Sequence, residues 1–584
     1  MKKSNLKYLS LYGSILAAST ILFDVGFEQG DSLLKFINNL YVFLLILIII
    51  GVPIKYVIKF PRKQKLRLYL IDSFYWIFLI VLLFSTDYSP LANPPFINLF
   101  ALKSWLFLAF LIGLVREVSD LDINLKYKKS NPALIFAGSF GVLIIAGTFL
   151  LLLPRATHNG INFSDALFTS TSAVCVTGLV VVDTGSYFTL FGQSIIMLLI
   201  QLGGIGIMTF TSFFGLFFRG GSSYSNLILL GSFTNVQKMA DIWSTLRKIL
   251  FFTFLIEAIG VALIYLNLGR YSNIDEDGKL FFAVFHSVSA FCNAGFSTLS
   301  DSFFDIQYRF NYPMHMVIAL LFIVGGLGFP VVINFYTYVK HLVLDRLLRW
   351  NRKREVIYKA HVINLNTRLV VYTTIVLIIV GTVTFFILEF NNTLAIHHGT
   401  GKLVTAFFGA VTPRTAGFNT IDTGSMHLST LMLIIMLMWI GASPASTGGG
   451  IKTSTFALAV LNALSLAKGN NRLEMNRREI PGLSLRRAFA FMTLSLLVIG
   501  FVVFLLLFTE PDKAFSDIIF ETFSAFSTVG LSRGITGELS LGGRYLIILT
   551  MFIGRIGLLT LLITLFRKTQ RIVSQYPSED ILIN

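Results

Sequence analysis

Apolar stretches of 17 or more residues recur along the whole chain, separated by short polar and mostly basic segments. Each is long enough to cross a hydrocarbon core about 30 Å thick. Four such spans lie within residues 1–130, near 8–24, 36–54, 69–85 and 97–115. The opening Met-Lys-Lys-Ser-Asn-Leu-Lys followed by an apolar run resembles a signal peptide in outline. No small-residue cleavage site precedes Phe23-Asp24, so it reads as an uncleaved first helix.

From about residue 131 the pattern changes and then repeats. Four times the chain reads as a long apolar helix, a short amphipathic segment, a glycine-centred turn and a second long apolar helix, giving units at 131–247, 248–365, 366–482 and 483–571, with a tail at 572–584. The turns align without gaps on one glycine. They read Ser172-Ala-Val-Cys-Val-Thr-Gly178-Leu, Ser289-Ala-Phe-Cys-Asn-Ala-Gly295-Phe, Val411-Thr-Pro-Arg-Thr-Ala-Gly417-Phe and Ser524-Ala-Phe-Ser-Thr-Val-Gly530-Leu. The glycines are 117, 122 and 113 residues apart, and Asp183-Thr184-Gly185 and Asp422-Thr423-Gly424 each begin five residues after theirs. The expected fold is therefore an all-α polytopic membrane protein: four tandem repeats around a central pore, preceded by about four further transmembrane helices.

Composition agrees. The 584 residues are 55% hydrophobic and 13% charged with a mean hydropathy of +0.75, whereas soluble proteins carry about 25% charged residues. A formal charge of +17 raises nucleic acid as a partner, but the basic residues are dispersed among loops instead of forming a patch. Membrane orientation accounts for them better: segments 55–67, 116–129, 219–248, 340–368, 468–487 and 567–571 are Lys/Arg-rich and alternate with weakly charged or acidic loops. The positive-inside rule then puts both termini in the cytoplasm. The alternate loops hold Asp165, Asp183, Asp301, Asp422, Asp517, Glu521 and other acids, so the outer face is expected to be acidic. Cys175 and Cys292 are equivalent positions, each three residues before its glycine, and are not read as a bonded pair.

The segments before the glycines, such as 165–174 and 517–526, have about ten residues and cannot cross a membrane. They read as half-helices that enter and return. Non-helical backbone at membrane depth is tolerated only where protein buries it or it lines a wet cavity, so the four turns are expected to converge on one pore. A half-helix with its C-terminus inward presents about half a negative charge there. Dehydrating a monovalent ion costs on the order of 20 kcal/mol, which carbonyl oxygens before each glycine can offset by replacing its water. Glycine reaches positive φ without steric cost; it is also a common helix C-cap, but four aligned occurrences favour a shared role.

On these repeats and glycines, over about residues 131–571, the chain resembles the Trk/Ktr/HKT superfamily of potassium transporters, and within it the bacterial TrkH and KtrB pore subunits. In that family each repeat is helix, pore helix, filter and helix, and glycine in every filter goes with potassium selectivity. Serine in the first repeat accompanies sodium preference in some plant members. The resemblance assigns ion-facing positions to Val176, Thr177, Gly178, Asn293, Ala294, Gly295, Thr415, Ala416, Gly417, Thr528, Val529 and Gly530. Potassium is then the transported ion, with no cofactor. The resemblance also implies a homodimer in the bacterial inner membrane. A cytosolic nucleotide-binding regulatory subunit would dock on basic loops such as 340–368 and 468–487.

Two features suggest a gate. The second helix of the third repeat is anomalous: residues 428–440 and 453–467 are each too short to span, with Gly441-Ala-Ser-Pro-Ala-Ser-Thr-Gly-Gly-Gly450 between them. The resembled family has an intramembrane gating loop at this location, here Gly441, Ser443, Gly448, Gly449 and Gly450, followed by Lys452. Arg555 lies inside the apolar last helix, where a charge faces the bundle interior. It is expected to meet carbonyls of that loop and close the pore, or else to pin helices together. Arg414 is expected to point behind the filter toward a carboxylate; Arg533 does the same or is a plain surface residue.

Gly448-Gly-Gly-Ile-Lys452-Thr453 resembles a phosphate loop but has Ile451 where glycine is required and no strand before it, so nucleotide is not expected on this chain. His397-His398 is read as a solvated pair in an outer loop; no metal-spacing His cluster suggests an enzyme. An ion-coupled carrier with alternating access remains an alternative, as does a sodium-permeable member of the family.

Overall fold

The computed structural model describes residues 9–58, 66–85, 103–120, 132–206, 242–268, 276–350, 364–470, 472–475 and 478–557. Most of the basic segment 219–248, the tail 572–584 and several inter-helix loops lie outside the described residues. The described chain is almost wholly helical, with a two-stranded pairing of Glu474–Met475 with Arg478–Glu479.

Four helices precede the repeats: α1 (Leu9–Gly26), α2 (Asp31–Ile58), α3 (Leu66–Ser85) and α4 (Lys103–Asp120). They share their own core of Ile37, Leu44, Ile48, Leu79 and Phe110. Close approach follows from small residues: a Cβ on Gly51 would lie 2.8 Å from the backbone of Ser10, the contact expected where helices associate without a hydrophobic driving force. Ion pairs tie the group together, among them Arg116 to Asp72 through two bonds of 2.6 Å, Lys55 to Glu117 at 2.9 Å and Lys103 to Asp24 at 2.5 Å.

The repeats follow in order. They are α5 (Pro132–Leu151), α6 (Phe163–Val174) and α7 (Leu190–Ile205); α8 (Ile242–Leu268), α9 (Glu276–Phe291) and α10 (Tyr312–Leu327), which continues as α11 (Phe329–Trp350); α12 (Leu365–Glu389), α13 (Thr400–Val411), α14 (Leu428–Trp439) and α15 (Thr453–Ala467); and α16 (Gly482–Thr509), α17 (Phe515–Ser527) and α18 (Leu541–Ile556). The first helix of a repeat is apolar on all sides and largely outward-facing: only 22% of α12 is buried, and Tyr372 and Ile387 stand exposed on it. In water such a surface would be a liability; against lipid tails it costs nothing. Among the described residues five helices are long and apolar enough to span a membrane alone, or six if α10 and α11 count as one bent span.

The second helix of each repeat packs on the short helix of the next, α7 on α9, α10 on α13, α14 on α17, and α18 back on α6. That last contact closes the ring, and Arg544 at the start of α18 pairs with Asp165 in the first turn of α6 across 379 positions. Second helices start on side-chain caps at Thr189, Asn311 and Ser540. For α14, whose N-cap His427 offers none, the buried Glu389 at the end of α12 accepts from the His427 amide at 3.0 Å and Thr430 Oγ1 at 2.5 Å. Glu510 grips Ser540 in the same way in the fourth repeat.

The break in the third repeat is not the exception the sequence suggested. The axis between α10 and α11 turns by 100° at Gly328, and α7 and α18 end at Gly206 and Gly557, all three glycines at positive φ. A left-handed residue ends helical hydrogen bonding wherever it falls, and Gly-Gly-x-Gly in repeats one and two carries that signal. Replacing Asp72 with Ala, which removes both of its bonds to the buried Arg116 guanidinium, is expected to cost about 3–5 kcal/mol, read as a lowered unfolding midpoint in detergent.

Candidate functional site

Each short helix runs into a turn closed by its own hydroxyl. Ser172 Oγ and Ser524 Oγ accept from the amides of Gly178 and Gly530 at 3.0 and 3.1 Å. Ser289 Oγ donates to Phe296 O at 2.7 Å, and in the third turn, where Val411 replaces serine, Thr412 Oγ1 donates to Phe418 O at 2.5 Å. The four glycines have positive φ as expected, and so do the residues two before them: Val176, Asn293, Thr415 and Thr528, at φ 56, 61, 73 and 50. Left-handed non-glycine residues cost about 1–3 kcal/mol each. Sequence reading missed this strain, since none of the four but Asn293 favours that region.

The turns meet. A Cβ on Gly178 would lie 2.3 Å from Ala294 O, on Gly295 2.9 Å from Ala416 O, on Gly417 2.4 Å from Val529 O and on Gly530 2.2 Å from Thr177 O. Each glycine therefore faces the carbonyl that precedes the next glycine, and the sequence of contacts closes on itself. Above the ring a cavity of about 450 Å³ is lined by all four glycines together with Asp183, Asp301 and Asp422. Asp183 and Asp422 play matching parts, accepting from the amides of Gly185 and Gly424 at 2.6 and 2.9 Å.

The loop of residues 441–450 lies on the opposite side of the ring. A Cβ on Gly448 would strike Thr415 Oγ1 at 2.0 Å, and one on Gly449 would strike Thr528 Oγ1 at 2.2 Å. Thr447 Oγ1 donates to Asn293 Oδ1 at 3.3 Å, and the Ser443 amide donates to Gly326 O at 3.0 Å. Arg555 donates to Thr447 O in the loop and to Gly203 O of α7 at 2.9 Å, while Lys452 Nζ donates to Gly448 O at 2.7 Å. Arg555 thus does reach the loop's carbonyls, and it reaches the first repeat as well. Gly203, Gly325 and Gly554 each leave room for the last carbonyls of α6, α9 and α17, at Val174, Phe291 and Phe526.

Three expectations need correction. Arg414 is 7% exposed, yet among the described residues no carboxylate pairs with it and its Nε has no partner. It stands at the C-terminal end of α13, where the helix dipole favours a cation without one; the equivalent Cys175, Cys292 and Ser527 are neutral and fully buried. The pairing falls to Arg533 instead, which meets Asp517 and donates to Gly424 O at 3.0 Å. Glu521 is not on the outer surface: it is 1% exposed on α17, where Thr536 Oγ1 donates to it. His397 is not solvated either. It is fully buried beside Tyr312, whose hydroxyl is 3.0 Å from Nδ1. Burial, with help from Arg309, His398 and Lys402, lowers its pKa to about 4, so it is neutral at pH 7.

The TrkH family model, described as a cation transport protein, matches residues 98–574. The chain belongs to this family. It is 37% identical to the Ktr system potassium uptake protein B of Bacillus subtilis over 79% of this chain and 98% of the relative, and 36% identical to the potassium/sodium uptake protein NtpJ of Enterococcus hirae over 78% and 98%. The potassium transporter TrkH of Vibrio parahaemolyticus shares the fold with a TM-score of 0.60, covering 86% of this chain and 97% of its own at 18% identity. This TrkH-family chain is accordingly a helical, multi-pass membrane protein. Its helices α1, α2 and α3 precede the matched region.

Because Gly449 sits against Thr528, Gly449→Ala and Thr528→Ala are expected to be coupled. The double variant should recover about 0.5–3 kcal/mol of the stability lost by Gly449→Ala alone, measured as a thermal double-mutant cycle.

Proposed function

We propose that this chain takes up potassium across the cell membrane through a gated, selective pore driven by the membrane potential. The observation that carries this reading is the closed ring in which each of Gly178, Gly295, Gly417 and Gly530 faces the carbonyl before the next. Carbonyls at Thr177, Ala294, Ala416 and Val529, with those of Val176, Asn293, Thr415 and Thr528, then replace the ion's water. Four helix C-termini aimed at the ring favour a cation, and the carboxylates of the cavity above it concentrate cations at the entrance. The names of the relatives, a potassium uptake protein in Bacillus subtilis and a potassium/sodium uptake protein in Enterococcus hirae, support potassium, and the latter also supports a pore that admits some sodium.

Uptake needs no hydrolysis here, since an inside-negative potential contributes about 2.3 kcal/mol per charge per 100 mV. The loop 441–450 is the gate, with Gly448 and Gly449 against the filter and Arg555 and Lys452 as fixed positive charges that repel potassium while the loop is seated. Opening requires the loop to leave Thr447's contacts with Arg555 and Asn293. Both termini lie in the cytoplasm of a bacterial inner-membrane protein, a reading that the alternation of basic loops supports through the positive-inside rule. Residues 340–368 and 468–487 are the docking surface for a cytosolic nucleotide-binding subunit, and the pore unit is a homodimer.

The direct test is rescue of a potassium-transport-deficient bacterium at low external potassium; failure with the chain in the membrane overturns the reading. In proteoliposomes, Gly178→Ser is expected to raise sodium permeability relative to potassium, and unchanged reversal potentials would count against the filter assignment. Arg555→Ala is expected to increase potassium flux in well-folded protein; an unaltered or lower flux contradicts the gate.

A further inference from the structure

The helices that precede the repeats meet the first repeat at the end of the bundle where the glycine ring opens into its cavity. There the turn after α1, the starts of α2 and α4, the segment after α5 and the start of α7 enclose a second cavity of about 510 Å³. Gly26 seats the junction, since a Cβ on it would lie 2.9 Å from the Leu153 side chain.

The lining of this cavity is electrically paired in an unusual way. Lys103 and Asp24 neutralise each other at 2.5 Å, and Asp24 also accepts from Tyr41 at 3.0 Å. Arg155 and Glu28 face the same space, and neither has an ion pair among the described residues. A simple anion would suit Arg155 but not Glu28; a simple cation would suit Glu28 but not Arg155. A ligand that carries a donor-bearing cation and an anion a few bonds apart satisfies both. Apolar surface runs away from the mouth on both sides, with Phe36 of α2 62% exposed and Leu190 of α7 66% exposed, so acyl chains have a path beside it.

We infer that this cavity binds an aminophosphate zwitterion: the phosphate on Arg155 with Lys103 behind it, the primary ammonium on Glu28. The membrane source of that chemistry is an ethanolamine phospholipid headgroup, and the soluble source is a free phosphoethanolamine. A bound lipid would bridge α1 and α2 to the first repeat, giving these helices a role in holding the pore unit that is separate from conduction.

The test is a thermal-shift titration of the full, delipidated chain in detergent with phosphatidylethanolamine, phosphatidylcholine, phosphatidylglycerol and soluble phosphoethanolamine. Phosphatidylethanolamine is expected to half-saturate at a concentration at least about fivefold below phosphatidylcholine, whose quaternary ammonium cannot donate a hydrogen bond to Glu28, and below phosphatidylglycerol, which has no ammonium. The exposed double variant Arg155→Gln/Glu28→Gln should lose that preference while unfolding at the same midpoint without lipid. A shift with soluble phosphoethanolamine as large as with the lipid identifies a solute as the ligand of the same site; a shift with the lipid alone identifies the membrane. Equal responses to all three lipids with none to phosphoethanolamine, or a preference undiminished in the double variant, overturns the inference.

Discussion

Backbone that leaves its helix inside a bilayer must find partners other than water, and here it finds them in its own copies. At the centre of the bundle four turns approach until glycine and carbonyl are in contact, with no space for even a methyl group at any of the four positions. That approach is tolerable only if the turns are held from behind. The hydroxyls of Ser172, Ser289, Thr412 and Ser524 close each turn locally. Gly203, Gly325 and Gly554 admit the ends of the short helices against the neighbouring long ones. The strain at Val176, Asn293, Thr415 and Thr528 persists because this shell leaves those residues no alternative.

The same constraint explains the cyclic packing. A second helix that supports its own turn from one side and the next repeat's short helix from the other makes every repeat depend on two neighbours. The bundle is complete only when α18 reaches α6, a contact sealed by Arg544 and Asp165. Within this near-symmetry the third repeat departs in charge. Its turn carries the buried Arg414 where the others carry Cys175, Cys292 and Ser527, and its second helix yields to the loop that touches turns two, three and four. A cation at the end of one of four inward dipoles weakens that quarter of the field. The repeat that supplies the loop therefore also supplies the least attractive wall for a cation.

Much of this was legible in the sequence because hydrophobicity and glycine act locally. The apolar runs before residue 130 agree with α1 to α4 within a few residues of each boundary except at the start of the fourth, and 453–467 agrees with α15 at both ends. The short helices before the glycines follow from length alone, since ten residues cannot cross a membrane. Positive φ at the four glycines follows from the absence of a Cβ.

What the sequence left undecided depends on side-chain contacts that no helical period links. No pattern along the sequence assigns Asp517 to Arg533 rather than Arg414, buries His397 against Tyr312, or hides Glu521 on α17 behind the fourth glycine turn. Which glycine faces which carbonyl is likewise fixed only when all four repeats pack together. The sequence by itself determined the spans, the four turns and the glycine at each, because these arise from the cost of exposing polar backbone to lipid and of placing a Cβ at positive φ. The tertiary structure alone decided the order of the ring, the partners of the buried charges and the seat of the loop, because those are contacts that only packing brings together, whether 16 residues apart like Asp517 and Arg533 or 379 like Asp165 and Arg544.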